Sequence, residues 1–502
     1  MAKILIIGGG VAGLTAGIYA RKYGHRAIIC EKHSIVGGNL TGWQRGDYHI
    51  DNCIHWLTGT NPNTALYKTW EDLGALGGVP IRQIETLYTC EVDGKRLSLH
   101  KNLEKMERDM LATSPADKRE ILALINAVRT VQGLFGVAGE NHNQTSSFVQ
   151  RTRTCPALLR YARLSTGELA AKFSHPLLKE FISCLIGEDF SAIALLVIFA
   201  TFCGENGGLP AGGSLAMAKR ISERFTSLGG ELFLHKEAVK IHVHGKKATS
   251  VSFSDGTNIR ADYVIFTADP KYLFDKLLQR EMPRAWQKQY QKKTRFSAYH
   301  CAFACDREKL PFSGDFIFEI PQSEQEKLGT KHLIVREFSH EPDFAPKGKN
   351  ILQTLTFCNE RDSREFIELR NADKAAYKKK KQEIANTVQA LIVKKLPELK
   401  GKLECIDVWT PASYRRYLGA EIGSFMGFLL PKDSLPRRMS AHIDGLQNVL
   451  LASQWQQAPG GLPIAANLGK KSIERVEALE TKFLKAEVRR LALPRAKRKR
   501  KA

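Results

Sequence analysis

The chain has 502 residues, of which 43% are hydrophobic and 25% are charged, values that are ordinary for a folded globular protein. This composition excludes an intrinsically disordered, collagen-like or disulfide-scaffolded chain, and the length alone suggests about three domains in series. The ten cysteines form no CxxC pair, so we predict no metal site and expect a reducing, cytoplasmic environment. The formal net charge of +23 favours an acidic partner, which composition alone does not identify among anionic lipid, nucleic acid and anionic substrate.

The first forty residues have the pattern of a strand–loop–helix–strand unit that binds a dinucleotide. Its elements are a buried strand (Lys3–Ile7), a GxGxxG loop (Gly8, Gly10 and Gly13), a helix over 14–23, and a second strand (Ala27–Cys30). The glycines allow a tight turn, backbone approach to a pyrophosphate, and close helix–strand packing. Glu31 follows Gly13 by 18 residues, where an acid accepts a hydrogen bond from a ribose hydroxyl and repels a 2′-phosphate. This unit alone does not distinguish NAD from FAD.

Further along the chain, Gly37 and Gly38 either bring a second stretch of backbone close to the dinucleotide or form a plain surface turn. Residues 100–204 are predicted to be mostly helical. Their apolar segment Phe190–Cys203 has 14 residues, fewer than the roughly 18–20 that a membrane-spanning helix needs. It is interpreted as a buried core helix or as an interfacial helix. The N-terminus lacks a signal-peptide pattern because five glycines occur within residues 8–17.

The second half of the chain predicts a loop, several short strands and two long helices. We predict a loop over 207–214, a helix over 215–228, strands at 231–234, 238–244, 249–253 and 263–266, a solvated lysine-rich helix near 371–396, a last strand at 449–452, and a helix over 464–479. The Asp255-Gly256 pair between alternating runs predicts a hairpin.

In this order, the motifs resemble the flavin-dependent amine-oxidase-like superfamily, in its phytoene desaturase, carotenoid isomerase and retinol saturase branch. The motifs that carry the resemblance are the GxGxxG with Glu31, the Gly37-Gly38 pair, the 207–214 loop, the Val239 strand, the hairpin ending in Ala268-Asp269-Pro270, the Thr410–Tyr417 stretch, and Pro459-Gly460-Gly461. The resemblance extends from Lys3 to about Val476. The sequence departs from the common superfamily pattern at Asn39, because an arginine often follows the glycine pair in this superfamily. This departure argues against an amine oxidase proper.

The resemblance implies a non-covalent FAD and assigns residues to it. By this analogy Glu31 holds the adenosine ribose, the backbone of Val239 contacts the adenine end, and Gly8, Gly10 and Gly13 hold the pyrophosphate. Gly461, Leu462 and Pro463 lie near the isoalloxazine, where the positive end of the following helix suits the negative charge of a reduced flavin. No second dinucleotide motif is visible, so a direct NAD(P)H half-reaction is not supported.

We therefore predict an α/β fold in which a Rossmann-type, GR2-like FAD-binding domain is interleaved with a substrate domain of mixed sheet and helical lid. The FAD-binding domain is predicted to comprise residues 1–65, 205–285 and 440–484. The substrate domain comprises 66–204 and 286–439, and a basic tail follows over 485–502.

The predicted function is FAD-dependent addition or removal of hydrogen across C–C bonds of an apolar polyene, isoprenoid or lipid-like substrate. A flavin-dependent cis–trans isomerase without net redox is the alternative. A nucleic-acid-binding protein is a third interpretation, motivated by the charge and by the basic run at 497–501, but no recognition module supports it. The identity of the electron donor or acceptor is left open.

The reactive end of the site is predicted to be lined by the segment after Asp51, namely Cys53, Ile54, His55 and Trp56, and by Trp455. Among these, His55 and Trp56 are candidate catalytic residues, for proton transfer and for stacking on a polyene. The alternative is that His55 is a buried histidine whose hydrogen bonds are made within the protein, and that Trp56 is a core residue. Trp455 and Tyr414 are candidate substrate-binding residues. Arg415 and Arg416 are interpreted either as an anion site or as structural ion-pair partners.

The C-terminal stretch carries a large share of the positive charge. Residues 470–502 contain 13 Lys and Arg against four Glu, a net charge of +9. Apolar residues recur there at helical spacing, namely Ile473, Val476, Leu479, Phe483 and Leu484. This pattern predicts a helix that either lies on the anionic inner face of a membrane or docks on its own domain.

Overall fold

The computed structural model describes residues 1–134, 156–306, 310–433 and 438–492 of the chain. The strands, in chain order, are β1 Lys3–Ile7, β2 Arg26–Cys30, β3 Gly42–Arg45, β4 Tyr48–Asp51, β5 Leu57–Thr58, β6 Ile81–Arg82, β7 Thr86–Val92, β8 Lys95–His100, β9 Gly207–Pro210, β10 Glu231–Phe233, β11 Ala238–His244, β12 Lys247–Phe253, β13 Asn258–Arg260, β14 Tyr263–Phe266, β15 Ser297–Cys305, β16 Asp315–Glu319, β17 His332–Glu337, β18 Asn350–Cys358, β19 Leu403–Trp409 and β20 Val449–Leu451.

The described α-helices, in chain order, are α1 Val11–Lys22, α2 Ala65–Asp72, α3 Leu103–Thr113, α4 Lys118–Leu134, α5 Pro156–Ala162, α6 Thr166–Ala170, α7 Pro176–Ser183, α8 Ala192–Cys203, α9 Gly213–Ser227, α10 Pro270–Tyr272, α11 Arg284–Lys292, α12 Gln322–Leu328, α13 Glu360–Ala372, α14 Lys374–Lys395, α15 Pro411–Leu418 and α16 Leu462–Ala492. A π-helical segment, Leu273–Leu278, follows α10. Single 3-10 turns occur at Pro115–Asp117, Pro342–Phe344, Pro397–Leu399 and Gln454–Gln456.

A five-stranded parallel sheet, in the order β10-β2-β1-β14-β20, carries the dinucleotide motif. Its central strand β1 is almost continuously apolar, because helices or a second layer cover both faces of a parallel sheet. α1 and α16 pack on one face, where Ile4, Ile6 and Ile473 belong to one buried cluster. On the other face lies the small antiparallel sheet β11-β12-β13. The parallel sheet thus joins strands from the beginning, the middle and the end of the chain.

A seven-stranded sheet, in the order β19-β15-β18-β17-β16-β7-β8, forms the second framework. Its strand pairs are antiparallel except for β16 with β7, so the sheet is mixed, as the sequence predicts. Helices α13 and α14 cover one face and contribute to a buried cluster with β15 and β16. Helices α3 to α8 are associated with the other face through a second apolar cluster. The predicted mostly helical segment 100–204 is therefore a helical cover over this sheet.

The prediction of a loop over 207–214 is wrong for its first half. Gly207–Pro210 is the strand β9, which pairs antiparallel with both β5 and β6. A Cβ atom on Gly208 would lie 2.6 Å from Ile81 Cγ2, so the glycine allows the neighbouring strands to approach. The predicted Asp255-Gly256 hairpin is confirmed, with Gly256 at φ +81° between β12 and β13.

The predicted apolar segment 190–203 forms α8, whose residues are mostly buried, which supports the core-helix interpretation. At the C-terminus, Ile473 and Val476 are 0% exposed on α16 and pack on the parallel-sheet domain. The side chains of Phe483 and Leu484, and all of 493–502 in the predicted basic tail, lie outside the described residues. Within the described ranges, no helix combines the length and the apolar character that crossing a bilayer requires.

Candidate active site

One continuous cavity of ≈ 1340 Å³ lies between the two frameworks. Ligand pockets usually measure about 300–1,000 Å³, so this volume is large enough for a cofactor together with a substrate. Its glycine-rich end is lined by Gly8, Gly10, Glu31, Gly37, Gly38, Lys236, Glu237, Gly460, Gly461, Leu462 and Pro463. Its apolar end is lined by Leu185, Phe190, Ile193, Val197, Phe296, Ile334, Leu355 and Phe357.

At the glycine-rich end, the GxGxxG loop brings the N-terminus of α1 to the cavity. Gly8 has φ +107°, a conformation that favours glycine. A Cβ atom on Gly13 would lie 2.0 Å from the carbonyl oxygen of Gly8, so the third glycine permits helix and strand to touch. The first turn of α1 contains no acidic residue. An anion at this helix N-terminus would therefore meet free N–H groups and no local repulsion from that turn.

Glu31 lines the cavity directly after β2, and backbone groups fix its carboxylate. Oε2 accepts a hydrogen bond from Gly9 N–H at 2.7 Å, and Oε1 accepts one from His33 N–H at 2.9 Å. The side chain is only 7% exposed. Each oxygen retains acceptor capacity beyond these bonds. The carboxylate is thus held in place at the position where the sequence predicts a contact with ribose.

The Gly37-Gly38 pair packs directly against the first glycine loop, and both segments line the cavity. Gly37 forms an isolated parallel bridge with Gly10, and its N–H donates to Gly9 O at 2.9 Å. A Cβ atom on Gly37 would lie 2.1 Å from Leu40 O, and one on Gly38 would lie 3.3 Å from the Cα of Gly10. Side chains at these two positions would therefore collide with or crowd the neighbouring protein atoms, so the glycines allow the two backbone segments to approach closely beside the cavity.

Asn39 takes the position at which related chains often carry arginine, and its contacts are within the protein. Its Oδ1 accepts a hydrogen bond from Asn52 Nδ2 at 3.0 Å, and its Nδ2 faces Cys53 Sγ at 3.8 Å. Asn39 therefore fixes the turn after β4 instead of providing a charged clamp.

Val239 does not itself line the cavity. Its side chain is 44% exposed, and the neighbouring lining residues are Lys236, Glu237 and Ala238. The register of β11 against β12 shifts between Ala238 and Lys240, so Val239 lies at a bulge. A contact with adenine through the backbone of Val239 stays a prediction.

The C-terminal glycine motif brings the N-terminus of α16 to the same cavity. Gly460 and Gly461 have φ +88° and +97°. Gly461 N–H donates to Gln454 Oε1 at 2.9 Å, which orients the turn. Leu462 and Pro463 are the first residues of α16 and line the cavity, about 450 residues after the first glycine loop. The positive end of a second helix dipole is thus directed at the site.

His55 and Trp56 both line the cavity and are partly exposed to it. Ile54, which the sequence also placed there, is 6% exposed and packs instead into the core beneath the parallel sheet. Among the described residues, no hydrogen bond to the imidazole of His55 is observed. Burial, followed by the charge of Arg336 and by His300, lowers the pKa of His55 well below its usual range. The imidazole is therefore neutral near pH 7.

A second cavity of ≈ 10 Å³ adjoins His55 on the side of the seven-stranded sheet. His55, His300, Arg336, Gln353 and the turn after β4 line it. This volume is about that of one water molecule, and the lining offers several hydrogen-bonding groups. His55 thus borders a small space into which charged and neutral hydrogen-bonding groups of the protein project.

Tyr414 and Trp455 are buried and line the cavity, and their contact with a substrate stays a prediction. The hydroxyl of Tyr414 accepts from Trp409 Nε1 at 3.2 Å, donates to Asn52 Oδ1 at 3.0 Å, and lies 2.9 Å from His300 Nε2. Burial lowers the pKa of His300 to about 3, so this imidazole is neutral. Arg415 and Arg416 are exposed and do not line the cavity.

Trp455 stacks on Tyr290 with ring centroids 5.7 Å apart. The hydroxyl of Tyr290 donates to Asp269, a lining residue whose pKa is raised by burial. These contacts fix the indole plane at the cavity wall.

Three polar residues on the sheet were not identified from the sequence. His300 lies within β15, Asp315 is the first residue of β16, and Arg336 is the next-to-last residue of β17. The available signal was a histidine inside the largely apolar β15 and charged residues at or near one end of the other two strands. The strand order that brings these three residues to one face is set by pairings between distant segments.

Comparison with known proteins agrees with this geometry. The family model described as "Flavin containing amine oxidoreductase" matches residues 11–407. Prolycopene isomerase from Daucus carota is 25% identical over 447 residues, which are 84% of this chain and 71% of that protein. A 4,4'-diaponeurosporene oxygenase from Staphylococcus haemolyticus is 19% identical over 508 residues, 96% of this chain and 98% of that protein. The crystal structure of an oxidoreductase from Methanosarcina mazei has a TM-score of 0.59 at 15% identity, covering 94% of this chain and all of the other.

Proposed function

The chain belongs to the family of flavin-containing amine oxidoreductases and is an FAD-dependent oxidoreductase, and from this premise we propose that it adds or removes hydrogen across a C–C bond of an apolar polyene, isoprenoid or lipid-like substrate. The observation that carries the proposal is the apolar half of the cavity. Ile193 and Val197 of α8 face Leu355 and Phe357 of the sheet across it. An amine or another small polar substrate would leave this surface uncovered, whereas a long hydrocarbon would bury it.

We assign the glycine-rich half to FAD. Glu31 would hold the ribose, Gly8, Gly10 and Gly13 would surround the pyrophosphate, and Gly37 and Gly38 would lie along it. The backbone of Val239 would meet the adenine end. Gly461, Leu462 and Pro463, at the N-terminus of α16, would lie at the isoalloxazine. Bound FAD supplies acceptance or donation of a hydride, and the chain supplies binding, orientation and proton transfer.

His55 and Trp56 are the residues that we propose for the chemistry. His55 lines the cavity and no hydrogen bond to its imidazole is observed among the described residues, so the ring is available for proton transfer with a substrate carbon. Trp56 offers an aromatic face on which a polyene stacks, and Trp455 and the ring of Tyr414 would line the same groove.

A cis–trans isomerase without net redox is the second candidate. It is favoured by the similarity to prolycopene isomerases along most of the chain. Product mass separates the two reactions, because an isomer retains the mass of the substrate and a desaturase changes it by two hydrogens.

The test is anaerobic photoreduction of the FAD-loaded protein, followed by addition of candidate enones, polyenes and quinones. We expect an apolar polyene or enone to restore the oxidised flavin spectrum or, with oxidised protein, to bleach it. A His55→Gln variant should slow this step by at least about a hundredfold while binding FAD normally, because general acid–base catalysis contributes about 10²–10⁴-fold. His244→Gln, at an exposed histidine that does not line the cavity, is the matched control. An unchanged rate in the His55 variant would remove His55 from the chemistry.

We also propose association with an anionic membrane surface through basic residues of α16 and the segment that follows it. Lys471 and Arg475 are exposed, and each cation near such a surface contributes about 1 kcal/mol. Sedimentation with anionic vesicles at low salt, and its weakening after deletion of 485–502, would support this proposal. Equal sedimentation with neutral vesicles would contradict it.

A further inference from the structure

A buried ion pair lies in the wall of the apolar half of the cavity. Asp315, the first residue of β16, lines the cavity and is 1% exposed. Arg336 on β17 donates from Nε to Oδ1 and from Nη2 to Oδ2, both at 2.6 Å. Ile334 and Leu355, which pair across β17 and β18 on this face, are apolar, and Arg336 also lines the small cavity beside His55 and His300. A charged group is thus built into the wall where the apolar surface meets the polar residues around His55.

The carboxylate has acceptor capacity that the protein does not use. An ionised carboxylate offers about four lone-pair sites, and Arg336 occupies two of them. Among the described residues, no other hydrogen bond to the carboxylate of Asp315 is observed. A donor that enters the cavity could therefore bond to it without displacing Arg336.

Structural need alone is a weak explanation for this pair. Withdrawing two charges from water is costly, and apolar residues of similar volume often replace a buried ion pair without loss of stability. β16 and β17 are already joined by their backbone ladder over Asp315 to Glu319. A pair that faces a ligand cavity has a second use, since an unfilled hydrogen-bonding position there discriminates between ligands.

We propose that Asp315, oriented by Arg336, binds the hydroxyl group at the end of a chain-like isoprenoid or polyene alcohol. This proposal rests on the proposed function and narrows its substrate class from a pure hydrocarbon to an amphiphilic alcohol. Arg336, which orients Asp315, lines the small cavity beside His55. The hydroxyl would therefore be held close to the residue proposed for the chemistry, and the reacting bond would lie near the hydroxyl-bearing end of the chain.

The test compares two probes that differ only in whether they carry a hydroxyl group that can donate a hydrogen bond. Geranylgeraniol and its methyl ether are titrated into the oxidised holoprotein by calorimetry, with no turnover required. We expect the alcohol to bind at least about tenfold more tightly, the usual effect of a hydrogen bond to a charged group. In the double variant Asp315→Leu with Arg336→Met, which leaves neither charge unpaired, this preference should disappear while the ether binds as before.

Glu180→Gln is the control, because Glu180 pairs with Lys331 and His332 and does not line the cavity. It should keep the preference for the alcohol. Equal binding of both probes to the natural protein, or a preference that survives in the double variant, overturns the assignment of Asp315 and leaves the apolar-substrate proposal standing. If neither probe binds, both proposals fail.

Discussion

Replacing Glu31 by glutamine tests whether its carboxylate holds the cofactor. The two oxygens accept from Gly9 N–H at 2.7 Å and from His33 N–H at 2.9 Å in a site that is 7% exposed. Glutamine retains one acceptor and places an NH₂ group against one of these N–H donors. One charge-assisted hydrogen bond is lost, and such bonds contribute about 1.5–3 kcal/mol each.

The same change weakens the proposed bond from ribose, because a neutral amide oxygen is a poorer acceptor than a carboxylate. We expect the Kd for FAD to rise by about 10- to 100-fold, since each 1.4 kcal/mol is a factor of about ten. The assay is a titration of the apoprotein with FAD in which binding is monitored by the quenching of flavin fluorescence.

The matched control is Glu237→Gln, at a second lining carboxylate whose only described side-chain bond is from Tyr272 at 3.3 Å. It should change the Kd by less than about threefold. If Glu31→Gln binds FAD as tightly as the natural protein while remaining folded, the carboxylate does not contact the ribose and the assignment is wrong.

Three further predictions concern packing, the polar network and pH. The Cβ atom of a Gly13→Ala variant would lie 2.0 Å from Gly8 O, so this variant should be purified without flavin. The control Gly133→Ala places its Cβ atom in open space and should retain flavin, and the flavin content per chain is measured for both variants. Tyr414→Phe leaves its buried partners unsatisfied and should lower the free energy of unfolding by about 2–3 kcal/mol, measured by urea denaturation. Burial alone would raise the pKa of Glu180, but hydrogen bonds from His332 and Lys331 outweigh this effect and lower the pKa to about 2. A lowered pKa stabilises the folded state above about pH 4.5, and this contribution is lost as the pH falls towards 2. Glu180→Gln should therefore flatten the acid limb of the stability curve and, after solvent screening, lower the free energy of unfolding by about 1–2 kcal/mol at pH 7.

The glycine-rich half of the site could be predicted because its determinants are local in sequence. A buried strand, three glycines and Glu31 occur within one βαβ unit, and each is required by the backbone geometry of that unit. Gly461 and the start of α16 were found in the same way, since a glycine turn opens a helix there. The helix extends to Ala492 and is longer than predicted, because the amphipathic pattern of the sequence continues past Leu479.

The errors have non-local causes. Gly207–Pro210 lacks β-branched residues and was predicted as loop, yet its pairing with β5 and β6, from more than a hundred residues earlier, makes it a strand. Ile54 lies between two lining residues, but the chain turns after Asp51, whose carboxylate is fixed by Ser214, and this directs Ile54 into the core. Neither partner is near in sequence.

The substrate half is still harder to predict, because its polar groups come from separate strands. His300, Asp315 and Arg336 reach one face only through the order β15-β18-β17-β16, and no spacing in the sequence records that order. Composition would instead assign all three strands to an apolar core. The charged pair that we propose as a substrate contact is therefore visible only once the sheet is assembled.

Tyr414 shows how the two halves are coupled. Its hydroxyl is engaged by Trp409 on β19 and by Asn52, and Asn52 in turn donates to Asn39 beside the Gly37-Gly38 pair. The hydroxyl therefore has no capacity to spare for a substrate, and only the ring of Tyr414 can contact one. The chain of bonds also explains Asn39: an arginine there would serve the cofactor, whereas asparagine has the length and the paired donor and acceptor that link the cofactor loop to the substrate sheet. Hydrogen bonds thus run without a gap from Asn39 in the cofactor loop through Asn52 and Tyr414 to His300 in the wall of the substrate sheet.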